Sequence, residues 1–83
     1  MKLLYFGAKW CIPCTTLKPL IESISKEEKI DVEYFDFDTD DNIFEKYEIE
    51  KLPSVLLLHN DKIINKFSGL KNKHFIQNFL KNE

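Results

Sequence analysis

Arginine is absent from this 83-residue sequence; all twelve basic residues are lysine. No guanidinium fork is therefore available for bidentate capture of a carboxylate. The lysines are scattered and the formal net charge is −2, so there is no basic stripe to hold a polyanion and no support for nucleic-acid binding. Long apolar runs are lacking as well. Leu3 to Phe6 is far shorter than a signal-peptide core and leads into Gly7-Ala8-Lys9 rather than a cleavage pattern. No segment approaches transmembrane length. A cytoplasmic setting with no membrane partner is the expectation, and there a permanent disulfide is unusual. Repeats, Gly/Ser linkers and low-complexity tracts are missing too, so residues 1–83 read as a single domain. Soft metal ligands are few. Beyond two cysteines there are only His59 and His74, separated by fourteen residues and placed in different elements. A zinc site needs four ligands, so none is expected within one chain. Both histidines read as solvated surface residues.

What is present is core material. With 43% hydrophobic and 13% aromatic residues, the chain can fill a compact interior despite its small size. Lys2 to Phe6 reads as a short buried strand. Leu17, Leu20, Ile21 and Ile24 draw one apolar stripe on a helix from about Cys11 to Glu28, and Pro19 within it predicts a kink. Residues 30 to 37, "IDVEYFDF", read as a second strand. Thr39 or Asp40 is expected to cap a short helix carrying Ile43, Phe44 and Tyr47. "SVLLLH" and "KIINKF" flank Asn60-Asp61, a hairpin signal. Asn72 predicts the start of a last helix with Phe75, Ile76, Phe79 and Leu80 on one side. The order is β-α-β-α-β-β-α. A right-handed crossover makes the first two strands parallel, and the hairpin adds antiparallel ones. The fold class is α/β, a four-stranded mixed sheet between helices.

The two cysteines stand in "KWCIPCT", Lys9 to Thr15. A staple, a metal clip and a redox couple are the possible uses of thiols so close together. The compartment weakens the staple and the ligand count weakens the clip, so redox use is favoured.

Trp10-Cys11-x-Pro13-Cys14 between a first strand and a proline-bearing helix resembles the thioredoxin family, whose signature is a Cys-x-x-Cys beside a βαβ pattern. The likeness covers most of the chain. Pro19 matches the proline of the family's active-site helix. "YEIEKLPSVLLL", residues 47 to 58, is similar to the segment leading into the family's cis-proline, here Pro53. "FSGLKNKHFIQNFL" is similar to its last loop and helix, with Gly69 at the matching glycine. The family's opening strand and helix are unmatched, which leaves a chain of glutaredoxin size.

The resemblance implies a thioredoxin fold and a dithiol–disulfide oxidoreductase that reduces protein disulfides. Cys11 would be the exposed nucleophile at a helix N-terminus, its pKa pulled below the ordinary value of about 8.5. Cys14, one turn on and more buried, would resolve the mixed disulfide. Trp10, Ile12, Pro13, Leu52, Pro53, Gly69 and Leu70 would form the substrate rim. Neither cofactor nor metal is expected beyond the Cys11–Cys14 disulfide. The implied partners are protein disulfides and a thioredoxin-reductase-like donor, with the chain a monomer.

Two other readings stay open. A glutaredoxin-like, glutathione-linked reductase fits the size. However, its usual Cys-Pro-Tyr-Cys is absent, its glycine pair reduces to "SGLKN", and Lys9, Lys51 or Lys71 would have to hold the glutathione carboxylates. The other alternative is a binding module that turns nothing over. The chain also departs from thioredoxins. The family's buried Asp and its partner Lys are replaced by Tyr5 and Tyr34, the Gly within the motif by Ile12, and the Lys after it by Thr15. Resolution by Cys14 is therefore expected to be slower or differently assisted, with the tyrosine hydroxyl a candidate partner for a thiolate.

Overall fold

The computed structural model describes residues 1–81. Along them run β1 (Lys2–Gly7), α1 (Ile12–Glu28), β2 (Asp31–Asp36), α2 (Asp41–Lys46), β3 (Ser54–His59), β4 (Lys62–Ser68) and α3 (Lys73–Leu80). The sheet order is β2-β1-β3-β4, with β1 parallel to β2 and antiparallel to β3, and β3 antiparallel to β4. This is the expected mixed sheet.

Strand β1 is a continuous apolar run because helices cover both of its faces. Leu3 and Tyr5 join Val55 and Leu57 against Leu17, Ile21 and Ile24 of α1 and Ile76, Phe79 and Leu80 of α3. On the other face Leu4, Phe6, Leu56 and Leu58 pack with Phe44 of α2. The period-two alternation of the strand thus divides its residues between two cores. Strand β2 lies at the sheet edge, which explains its charge content; Tyr34 on it is part-exposed.

Helix α1 runs unbroken through Pro19. Asn60 and Asp61 both take positive φ, at 53° and 66°, as the two-residue hairpin turn requires. The Asn72 side chain accepts the Phe75 N–H at 2.8 Å and caps α3. Asp40 departs from expectation. It sits at the N-cap of α2 without a side-chain capping bond. Its carboxylate instead accepts the Asp36 N–H at 3.0 Å and the Thr39 hydroxyl at 3.2 Å, so it closes the loop after β2. Among the described residues no helix is long and apolar enough to cross a membrane.

Candidate active site

The chain leaves β1 at Gly7 and turns through Ala8, Lys9 and Trp10. The Cys11 N–H donates to the Ala8 carbonyl at 3.2 Å, which closes the turn. Cys11 is the N-cap of α1, with extended backbone angles, and Ile12-Pro13 open the helix. Proline suits that place, since its ring presets φ and the first turn has no partner for its missing N–H. Cys14 follows one turn later. The two cysteines form a disulfide, with their Cα atoms 5.3 Å apart. Because the pair opens a 17-residue helix, the unpaired N–H groups and the helix dipole favour a thiolate at Cys11.

The accessibility of Cys11 needs correcting. The resemblance implies an exposed sulfur, yet in the disulfide Cys11 is only 7% accessible, against 4% for Cys14. Both sulfur-bearing residues pack with Ala8, and Leu52 lies against them. That cover comes from the opposite loop. There the Leu52–Pro53 peptide is cis. The Gly69 N–H donates to the Pro53 carbonyl at 2.8 Å, tying the end of β4 to this loop. Gly69 has φ 86°, a conformation only glycine adopts freely. Among the described residues the backbone of Leu52 has no hydrogen-bond partner.

Beside Cys11 lies a groove of about 480 Å³, walled by Trp10, Pro13, Phe37, Ile49, Glu50 and Leu52. Trp10 and Phe37 meet edge to face with ring centres 6.1 Å apart, and Phe37 meets Phe44 likewise at 5.4 Å. The Trp10 indole N–H points to the Asp38 carboxylate at 3.4 Å. Of the expected rim, Trp10, Pro13 and Leu52 line this groove. Ile12 is 79% exposed on the first turn of α1 and lies outside the lining, as does the exposed Leu70. Phe37, Ile49 and Glu50 are groove residues that sequence reasoning missed. The pattern of residues 30 to 37 places Phe37 at the end of the second strand. The strand instead stops at Asp36, and the Phe37 N–H bonds to the Gly7 carbonyl at 2.9 Å.

Behind Cys14 the picture differs. Tyr5 is buried, and with the disulfide formed its hydroxyl donates to the Cys14 carbonyl oxygen at 3.1 Å. Gly7 makes room for it: a Cβ there would stand 2.8 Å from Tyr5 Cε1 and 3.3 Å from Cys14 Sγ. Tyr34 packs against Tyr5 with ring centres 5.6 Å apart, and the Lys18 ammonium lies over its ring. Burial first, and the neighbouring Tyr34 second, push the Tyr5 hydroxyl up to about 12. Burial and the Glu22 carboxylate raise Tyr34 as well. Neither phenol is a base at neutral pH.

That shift has a measurable consequence. A tyrosine ionises near pH 10 when unfolded and near 12 here. The stability that neutral Tyr5 confers is complete below about pH 10 and is lost as pH rises through about 12. Urea midpoints should therefore fall more steeply from pH 9 to 11.5 in the wild type than in Tyr5→Phe. Equal slopes would show that Tyr5 ionises as freely folded as unfolded.

Among the described residues no group of three or more His, Cys, Asp or Glu side chains is placed to hold a metal ion. Residues 1–82 match the family profile described as Thioredoxin. The chain is 37% identical over 82 residues to thioredoxin of Rickettsia bellii, covering 96% of this chain and 78% of that protein.

The chain belongs to the thioredoxin family.

A second bacterial thioredoxin, from Buchnera aphidicola, is 35% identical over 80 residues, covering 94% of this chain and 73% of the relative. Mitochondrial thioredoxin of Bos taurus is 32% identical over 78 residues, and there the chain spans 47% of the relative's length. Among solved structures, thioredoxin 1 of Thermosipho africanus superposes with a TM-score of 0.90 at 25% identity, covering 98% of this chain and 91% of that one. The thioredoxin-fold assignment follows. The disulfide opening α1, the facing cis-Pro53 loop and the proline within α1 are this chain's form of the thioredoxin arrangement.

Proposed function

We propose that the protein is a dithiol–disulfide oxidoreductase that reduces protein disulfides. The observation that carries the reading is the Cys11–Cys14 disulfide at the start of α1, packed against Leu52 and bordering an apolar groove of about 480 Å³.

In the reduced protein the Cys11 thiolate attacks one sulfur of a substrate disulfide. The substrate S–S bond breaks, a Cys11–substrate disulfide forms, and the other substrate sulfur leaves as thiolate and takes a proton. Cys14 then loses its proton and attacks Cys11 Sγ. The Cys11–Cys14 bond closes and the second substrate sulfur departs as a thiol. Two electrons and two protons have passed to the substrate. The free Leu52 backbone is placed to pair with an extended substrate strand and hold it at Cys11. Tyr5 serves as an anchor for the Cys14 backbone, while the proton of Cys14 goes to solvent-borne base; the raised phenol pKa supports that division.

The electron donor in this reading is a thioredoxin-reductase-like protein, and the setting is cytoplasmic. Lack of arginine argues against glutathione as the preferred donor. With a thioredoxin reductase, NADPH and a disulfide-bonded protein, one NADPH should be consumed per disulfide reduced. Turnover with glutathione alone would instead favour the glutaredoxin-like reading. No turnover with either donor, while substrate still binds, would leave only the binding module.

A further inference from the structure

The two walls of the groove beside Cys11 are apolar but not uncharged. One wall is the aromatic shelf of Trp10 and Phe37, and Asp38 sits against it, accepting from the Trp10 indole. The other is Ile49, Glu50 and Leu52, where Glu50 is the one charged side chain lining the groove among the described residues. No ammonium group lines it. Lys51 lines a neighbouring pocket that shares Ile49 and Glu50 with this groove, and Lys9 and Lys18 line the cleft behind Cys14. One carboxylate, that of Glu50, thus lines the apolar slot and a second, that of Asp38, is bonded to its Trp10 wall, while no lysine lines it. An apolar slot removes water from whatever fills it, and carboxylates at its edge then act through a lower dielectric than bulk solvent.

Resting on the oxidoreductase reading above, we infer that the preferred substrate is an extended disulfide-bearing segment with a large apolar side chain next to its reactive cysteine and a lysine or arginine flanking it. The apolar group occupies the Trp10–Phe37–Leu52 slot, and the cationic group meets Glu50 or Asp38. An acidic flank would meet like charge from Glu50 and the nearby Asp38, with no lysine in the groove lining to compensate. Charge complementarity at a docking groove acts chiefly through encounter and register, so the preference belongs in kcat/KM and weakens with salt.

Three disulfide-bonded peptides test this, identical except for Lys, Gln or Glu beside a Phe-Cys pair. Each rate is divided by that peptide's own rate with dithiothreitol, which removes intrinsic differences in disulfide reactivity. At low ionic strength the Lys peptide should exceed the Glu peptide in kcat/KM by about tenfold, and the ratio should shrink toward one at 1 M salt. In Glu50→Gln the low-salt ratio should fall to about threefold, and in Glu50→Lys it should shrink further or invert. A ratio near one in the wild type, with all three peptides reduced well, would overturn the charge preference and leave the oxidoreductase reading intact. Failure to reduce even the Gln peptide would count against that reading itself. A ratio unchanged by both Glu50 variants would also overturn the assignment.

Discussion

Replacing Cys11 by serine is expected to abolish disulfide reduction, lowering kcat/KM by on the order of 10³-fold or more, because the attacking thiolate itself is removed. The companion change separates the two chemical steps. Cys14→Ser leaves the attacking sulfur in place but removes the sulfur that releases the substrate. It should therefore stop after one event, with a disulfide-bonded protein partner retained on Cys11. Intact-mass measurement before and after dithiothreitol reads this directly. The expected result is one substrate equivalent on Cys14→Ser, lost on reduction, and none on Cys11→Ser. Near-normal activity in Cys11→Ser would contradict the assigned roles. Sustained turnover of Cys14→Ser in the presence of glutathione would show a single-thiol route and restore the glutaredoxin-like reading. Folding should survive both changes. Each swaps one sulfur for oxygen at a helix start, outside the two main cores.

The largest effect on stability is expected at Phe6. Its ring is fully buried on the central strand β1. It stacks on Phe35 at 5.2 Å, meets Phe44 edge-on at 5.0 Å and touches Tyr47 at 5.8 Å between ring centres. Truncation to alanine removes the common partner of three rings, and the sheet on one side cannot collapse into the space. Such changes cost about 3–5 kcal/mol. A domain of this length has a total stability of about 4–12 kcal/mol. Phe6→Ala should thus be largely unfolded at 37 °C or lose most of its urea midpoint, with activity falling in step because β1 delivers the cysteines. Phe75 offers the contrast. It is half-exposed on α3 and makes an edge contact with Phe67, so Phe75→Ala should cost about 1 kcal/mol. Similar losses for the two variants would show that the second core contributes far less than its burial implies.

The legible and illegible parts of this molecule divide along physical lines. Strand β1 was readable because a strand covered on both faces must be apolar throughout, and "LLYF" is. The hairpin was readable because only residues tolerant of positive φ fit its turn, and Asn60-Asp61 are such residues. Cys11 and Cys14 announced themselves by their spacing within one turn. The groove was not readable. Trp10, Phe37 and Glu50 come from three separate segments, and nothing local to Phe37 distinguishes a groove aromatic from a strand aromatic. Asp40 stands at the N-cap of α2 as its residue type suggests, but the job of its side chain was not readable, because one carboxylate can close a loop or cap a helix and the choice depends on where Asp36 lies. The Tyr5 hydroxyl was equally beyond reach, since its partner is a main-chain carbonyl nine residues away and the room for it is made by Gly7.

Reduction of other disulfides requires that Cys11 and Cys14 form a reversible two-electron couple of low potential. Titration of the protein in defined redox buffers, with alkylation quenching and intact-mass readout, measures that couple directly. One cooperative transition is expected, with a midpoint of about −270 mV, the figure for thioredoxin itself. A midpoint near about −120 mV, where the pair would oxidise other thiols, would contradict the reductant role, and failure to form any Cys11–Cys14 disulfide in solution would contradict redox use altogether.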